Sequence, residues 1–186
     1  VLEEKKFEVE VYDSKNVAHG AVIMLNELLR YKNEMENDIS PEKINEIIDF
    51  YAERAKVYLA VDTLDYLSYG GRISSTIAAA GNLFGIKPLL IVKGGAFTEH
   101  GKYRSSKKAY KEIINIFIDE TAGKNDDYYI YAAHARNEKS IKKVKEHILN
   151  EAACNMIDLG ISEIGPVVSV HVGPGTVGIS WAPKFF

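Results

Sequence analysis

Val61-Asp-Thr-Leu-Asp-Tyr-Leu-Ser-Tyr-Gly-Gly-Arg-Ile-Ser74 reads as a short capped helix, stopped by two glycines, that delivers one arginine at a tight turn. Asp62 or Thr63 can cap its first turn, and Leu64 and Leu67 fall on one helical face. Gly70 suits the left-handed residue that ends a helix, and Gly71 lets the backbone pass close to a neighbour. Arg72 comes next, and Ser74 or Ser75 can cap a further helix. An anion placed there meets a fixed positive charge and free N–H groups. The plainer alternative makes Gly-Gly a turn and Arg72 a surface charge.

Outward from this stretch, residues 57–61 form a short apolar strand leading in, and 75–83 a helix of small residues leading out. Residues 89–92, Gly94-Gly95 and the polar run 96–104 spell a β-hairpin. Ser105 or Ser106 caps a helix to about Glu120, with Ala109, Ile113, Ile116 and Phe117 facing inward. A strand (128–133), a helix (138–150) and a strand (156–161) follow. Residues 165–172 fit either class, since Pro166 suits a first helical turn while Val-Val-Ser-Val is β-branched. Gly173-Pro-Gly175 is a turn before a last strand, 176–181.

Upstream, residues 7–12 alternate like a strand, closed by Asp13-Ser14. Residues 18–30 form a helix with Val22, Leu25, Leu28 and Leu29 on one face, and 31–38 a polar loop. Ser40-Pro41 then starts a helix through Arg54 or Ala55. The pattern predicts an α/β chain in two parts. Residues 57–186 make a complete C-terminal domain with a mixed sheet, and 1–56 the C-terminal part of an upstream α/β domain. One strand and two helices cannot bury a sheet face by themselves. The opening Val1 also predicts a polypeptide that begins further upstream.

Composition narrows the classes. Hydrophobic residues at 46% and charged residues at 26% over 186 positions describe an ordinary globular chain. A net charge of −3 gives no general attraction for nucleic acid. The single cysteine, Cys154, excludes an intramolecular disulfide and fits a reducing compartment; its apolar setting predicts a buried, inert thiol. No apolar run reaches the roughly 18 residues of a membrane helix, and no secretory pattern opens the chain, so a soluble cytoplasmic protein is expected.

Candidate chemistry is sparse. His171, in His-Val-Gly-Pro-Gly, precedes a rigid turn of the kind that lines ligands, although a lone histidine is more often structural than functional. There is no phosphate-loop pattern, no Gly-x-Ser-x-Gly and no His-Glu-x-x-His. His19, His100 and His147 are scattered without metal-ligand spacing. The basic run Lys102-Tyr-Arg-Ser-Ser-Lys-Lys108 reads first as solvated surface, then as a dock for an acidic partner, and last as a nucleic-acid contact.

Three segments together resemble the DegV family, bacterial fatty-acid-binding proteins of two α/β domains. They are residues 61–74, Gly81-Asn-Leu-Phe-Gly-Ile-Lys-Pro-Leu89, and His171-Val-Gly-Pro-Gly-Thr-Val-Gly178. Residues 9–20 resemble the strand and turn that close the family's N-terminal domain. The resemblance implies an acyl chain in a tunnel between the two domains, its carboxylate held at Arg72 and His171. It implies ligand-lining loops at Gly70, Gly71, Ile73, Gly173 and Gly175, with no catalytic residue, no metal and no cofactor beyond the bound long-chain fatty acid. It further implies a carrier that presents the acid to a separate fatty-acid kinase, with Arg104, Lys107 and Lys108 as a docking patch, and with neither nucleic acid nor stable membrane insertion. The Thr-Ser segment and Ser-rich loop that complete the family's carboxylate site are not among these residues. Two other readings stand beside it. One is a small-molecule enzyme using Arg72 and His171 on a carboxylated or phosphorylated substrate, for which no second acid–base group is evident. The other is a purely structural interaction domain.

Overall fold

Apolar residues alternate between the two faces of the strands, and that alternation sets the architecture of the computed structural model, which describes residues 9–35, 39–72 and 85–185. Six strands form one sheet: β1 (Lys56–Ala60), β2 (Lys87–Lys93), β3 (Ala96–Tyr103), β4 (Tyr128–His134), β5 (Met156–Glu163) and β6 (Val177–Pro183), in the order β3-β2-β1-β6-β4-β5. All neighbours are antiparallel except β4 and β5. That parallel pair requires a crossover, which helix α5 (Glu138–Glu151) supplies. Gly94 and Gly95, both at positive φ (55° and 80°), close the β2–β3 hairpin as a primed turn requires.

On one face Tyr58, Leu89, Ile91, Ile130 and Trp181 pack against Ala109, Ile113 and Phe117 of α4 (Ser106–Thr121) and Ile141 and Ile148 of α5. Ser105 caps α4, its hydroxyl accepting from the Lys108 N–H. The opposite face is covered in two parts. Val57, Leu59, Leu90 and Val92 meet Leu67 of α3 (Asp65–Tyr69) and Val172 of α6 (Pro166–Val172). Tyr129 and Ala182 meet Ile23 of α1 (His19–Met35) and Ile47 and Tyr51 of α2 (Pro41–Arg54). The ambiguous segment 165–172 is therefore helical after Gly165. Its Ser169 hydroxyl donates to the Ile164 carbonyl at 2.7 Å, and burial of Val172 against the sheet outweighs the β-branched preference.

Helix α1 departs from expectation in length and in face. It runs through the stretch expected as loop as far as Met35, because Arg30 pairs with Glu27 and Glu34 one turn to either side. Val22, Leu25 and Leu29 point outward, 40%, 53% and 53% exposed, while Glu27 is fully buried at 0%. The Tyr129 hydroxyl donates to the Glu27 carboxylate at 2.5 Å, and the Arg30 guanidinium binds it through two nitrogens at 2.6 and 3.1 Å. A buried carboxylate so paired is tolerated, and removing it would strand both partners at a cost of about 3–5 kcal/mol. Residues 9–12 form no strand; Val9 and Val11 are exposed, and no neighbouring strand pairs with them among the described residues. The expected helix at 75–83, its Ser74 or Ser75 cap, and residues 81–84 of the segment 81–89 lie outside the described residues, as do residues 7 and 8 and positions 36–38 of the expected loop.

His19 opens α1 with its ring buried edge-on against Tyr131, centroids 4.9 Å apart. Burial disfavours the imidazolium and lowers its pKa from 6.5 to about 4. The unfolded chain therefore binds the extra proton between those values, and stability falls as pH drops from 6.5 towards 4. The full effect is on the order of 3 kcal/mol. Urea midpoints measured between pH 7.5 and 4 should fall steeply for the natural sequence and clearly less for His19→Gln; identical slopes would contradict this role.

Candidate functional site

The site begins where β1 ends. The Val61 N–H donates to the Pro88 carbonyl at 3.0 Å, and the Thr63 hydroxyl accepts from the Asp65 N–H at 3.2 Å to turn the chain into α3. Asp62 caps nothing; its carboxylate pairs with Lys87 at 2.6 Å. Leu64 and Leu67 are buried, anchoring α3 to the sheet. At the far end Arg72 N–H bonds the Leu67 carbonyl (3.0 Å) and Gly71 N–H bonds the Ser68 carbonyl (3.1 Å), the paired closure of a Schellman cap. Its left-handed residue is Gly71, at φ 64°, whereas Gly70 has ordinary helical angles. The two glycines thus exchange the expected roles. Gly70 is the close approach, since a Cβ there would overlap Nδ1 of His171, while a Cβ on Gly71 would meet nothing within 4 Å.

The second half of the site is the end of α6 and the turn behind it. The buried Thr176 hydroxyl bonds the Val172 and Gly173 carbonyls, 2.9 Å each, and so ties off the last helical turn. Gly175 N–H reaches the Ala135 carbonyl at 2.7 Å, and the Asn137 side-chain amide donates to the Gly175 carbonyl at 2.8 Å. Three glycines then interlock this loop with α3. Gly70 lies under His171, Tyr66 lies over Gly173, and Asp62 lies 3.3 Å from where a Gly175 Cβ would stand.

The interlock brings Arg72 and His171, 99 residues apart in the chain, to one cleft of about 480 Å³. Val17, Val92, Phe97, Val167 and Val168 give it mostly apolar walls. Arg72 is exposed, its Nη1 resting on the Gly70 carbonyl at 2.7 Å. His171 Nδ1 is buried against Gly70 with no hydrogen-bond partner among the described residues, which leaves Nε2 as the ring atom able to meet a ligand. A permanent cation and an imidazole beside apolar walls suit an amphiphile with an anionic head. Among the described residues no group of acidic, His or Cys side chains could hold a metal. Cys154 is half-buried, with burial raising its thiol pKa, and takes no part in the cleft.

A family model described as "Uncharacterised protein, DegV family" matches residues 2–184. The chain belongs to the DegV family. A DegV domain-containing protein of Clostridium acetobutylicum is 33% identical over 174 residues, covering 91% of this chain and 58% of that one. A solved structure of a Thermus thermophilus DegV family protein, described as binding fatty acid, superposes with a TM-score of 0.82 at 28% identity, over 94% of this chain and 60% of its own. Bacillus subtilis DegV, described as a fatty acid binding protein, gives 0.75 at 27% identity, over 93% and 60%. The chain thus spans about three fifths of the length of these DegV relatives.

Of the other residues singled out for a DegV ligand site, Gly71 lines the cleft, Gly70, Gly173 and Gly175 form the interlock, and Ile73 lies outside the described residues. Arg104, Lys107 and Lys108 are exposed and sit elsewhere. Arg104 follows the end of β3, roughly 25 Å along the strand direction from Ala96 at the cleft, and the two lysines open α4 on the opposite layer. Sequence reasoning missed Asn137, Thr176, Tyr66 and Val17. Asn137 carried a signal of the wrong kind, since it stands at the N-cap of α5 but turns its amide to Gly175.

The interlock predicts a graded alanine series. Gly173→Ala combines a collision with Tyr66 and a positive φ of 76°, and should cost about 3 kcal/mol or more. Gly70→Ala collides only, at about 1–3 kcal/mol, and Gly71→Ala only strains the backbone, at about 1 kcal/mol. Denaturant midpoints in any other order would contradict the assignment.

Proposed function

We propose that this protein is a carrier that binds a long-chain fatty acid, with its carboxylate at Arg72 and His171 and its acyl chain along the apolar walls of the cleft. The observation that carries the reading is the convergence of one permanent cation and one imidazole on a mostly apolar cleft. The fatty-acid binding described for the Thermus thermophilus and Bacillus subtilis relatives supports it. Burying about 15 methylenes at about 0.8 kcal/mol each is worth on the order of 12 kcal/mol before association costs, so few polar groups are needed at the head. Among the described residues that line the cleft no second acid–base group stands beside His171, which favours binding over turnover.

The finer parts of the proposal are a partner fatty-acid kinase to which the carboxylate is presented, a cytoplasmic setting, and a docking role for Arg104, Lys107 and Lys108. Their distance from the cleft makes that patch a contact for the partner's body and not for its reacting groups. Domain organisation belongs to the same reading. Ascribing 1–56 and 57–186 to separate units sets α1 and α2 apart, yet both bury side chains against Tyr129 and Ala182 of the sheet. Their packing supports a boundary nearer Val17.

The test is made on the natural full-length polypeptide. Small molecules extracted from the purified protein and identified by mass spectrometry should include a long-chain acid, and delipidated protein should rebind it. Arg72→Ala should weaken binding about 10- to 100-fold, the loss of a charge-assisted pair, and His171→Ala by less. Absence of any acid from the extract, together with no rebinding, would sink the proposal.

A further inference from the structure

Helices α4 and α5 lie side by side on the sheet face opposite the cleft, and an open groove of about 550 Å³ runs between them. Ile114, Ile118 and Val144 form its apolar floor, with Tyr110 at one end. Along the rim stand Lys107, Lys111, Lys143 and His147, opposed by a single carboxylate, Glu151. Two other lysines of α5 are neutralised within the fold, Lys142 by Glu138 at 2.6 Å and Lys145 by Asp158 at 2.5 Å. Lys107, Lys111 and Lys143 make no ion pair among the described residues. In a chain of net charge −3 this is a local concentration of uncompensated positive charge beside apolar surface.

We propose that the α4–α5 groove docks an amphipathic helix of a partner protein, its apolar face edged with Asp and Glu. Charge complementarity selects the edges, and the recessed floor accepts a single row of aliphatic side chains. Ile114 and Val144 are 8% and 4% exposed, so they sit below the lysines and do not project. A flat lipid surface would meet the ammonium groups without reaching that floor. The groove is also wired to the cleft. The Tyr110 hydroxyl accepts from the Asn137 amide at 3.1 Å, and the same amide donates to the Gly175 carbonyl. An occupant touching Tyr110 is thus two hydrogen bonds from the loop that packs on α3. The inference does not depend on what the cleft binds, because it is tested without any cleft ligand.

The probe is a synthetic helical peptide of about 18 residues, about 27 Å long, with Leu at i, i+3, i+4 and i+7 and Glu on the flanks. Its counterparts are the same peptide with Lys flanks and vesicles containing phosphatidylglycerol. The Glu peptide should bind saturably, shift amide resonances of α4 and α5, and weaken as salt rises. Lys111→Glu with Lys143→Glu should reduce its affinity at least about tenfold, while Lys139→Glu, on the same helix outside the groove, should change it less than about twofold. Both variants are exposed-site changes, and unchanged thermal unfolding confirms that each is folded. Absence of Glu-peptide binding, equal binding of the Lys peptide, equal weakening by Lys139→Glu, or vesicle binding stronger than peptide binding would each overturn the proposal.

Discussion

The contact between the Cα of Gly70 and the imidazole of His171 is the constraint on which the rest of the site depends. A side chain at position 70 would push the ring away, and with it the helix that carries it. Tyr66 over Gly173 and Asp62 beside Gly175 repeat the device on either side, so the α3 segment and the loop after α6 meet backbone to side chain at three points. Backbone can approach this closely only where Cβ is absent. The arrangement is a rigid one, because both segments are tied to the sheet by Leu64, Leu67 and Val172.

That rigidity has a second source in the hydrogen bonds behind the loop. Thr176 closes the α6 terminus, the Ala135 N–H donates to the Thr176 carbonyl beside the ends of β4 and β6, and Asn137 holds the Gly175 carbonyl from the start of α5. Arg72 is positioned differently, by the Schellman closure of α3 and its own bond to the Gly70 carbonyl. The site therefore pairs a ring fixed by packing with a guanidinium that can leave a backbone carbonyl for a better anion. Preorganised groups of this kind lose little entropy on binding.

Local chemistry was legible in the sequence and long-range partners were not. Ser40-Pro41, Ser105 and Gly94-Gly95 act within a few residues of themselves, and each cap or turn forms where its residue type places it. The buried face of α1 was not legible. Val22, Leu25 and Leu29 are the more apolar row, yet the helix turns His19, Ile23 and Glu27 inward, because the hydroxyl that satisfies Glu27 comes from Tyr129, 102 residues away. The same limit explains the exchanged roles of Gly70 and Gly71. Two adjacent glycines say that one is left-handed and one is crowded, but the crowding partner lies on another helix. For the candidate site, the two motifs and their polar residues could be read directly; the apolar walls from Val17, Val92 and Phe97 required the sheet.

The most direct measurement is a double-mutant cycle on the contact itself, reading unfolding free energies for Gly70→Ala, His171→Ala and the pair. If the methyl group collides with the ring, removing the ring relieves the collision. Gly70→Ala should then cost at least about 1 kcal/mol less in the His171→Ala background than in the natural one. Equal cost in both backgrounds would show that the two residues do not meet, and the clamp built on them would not exist.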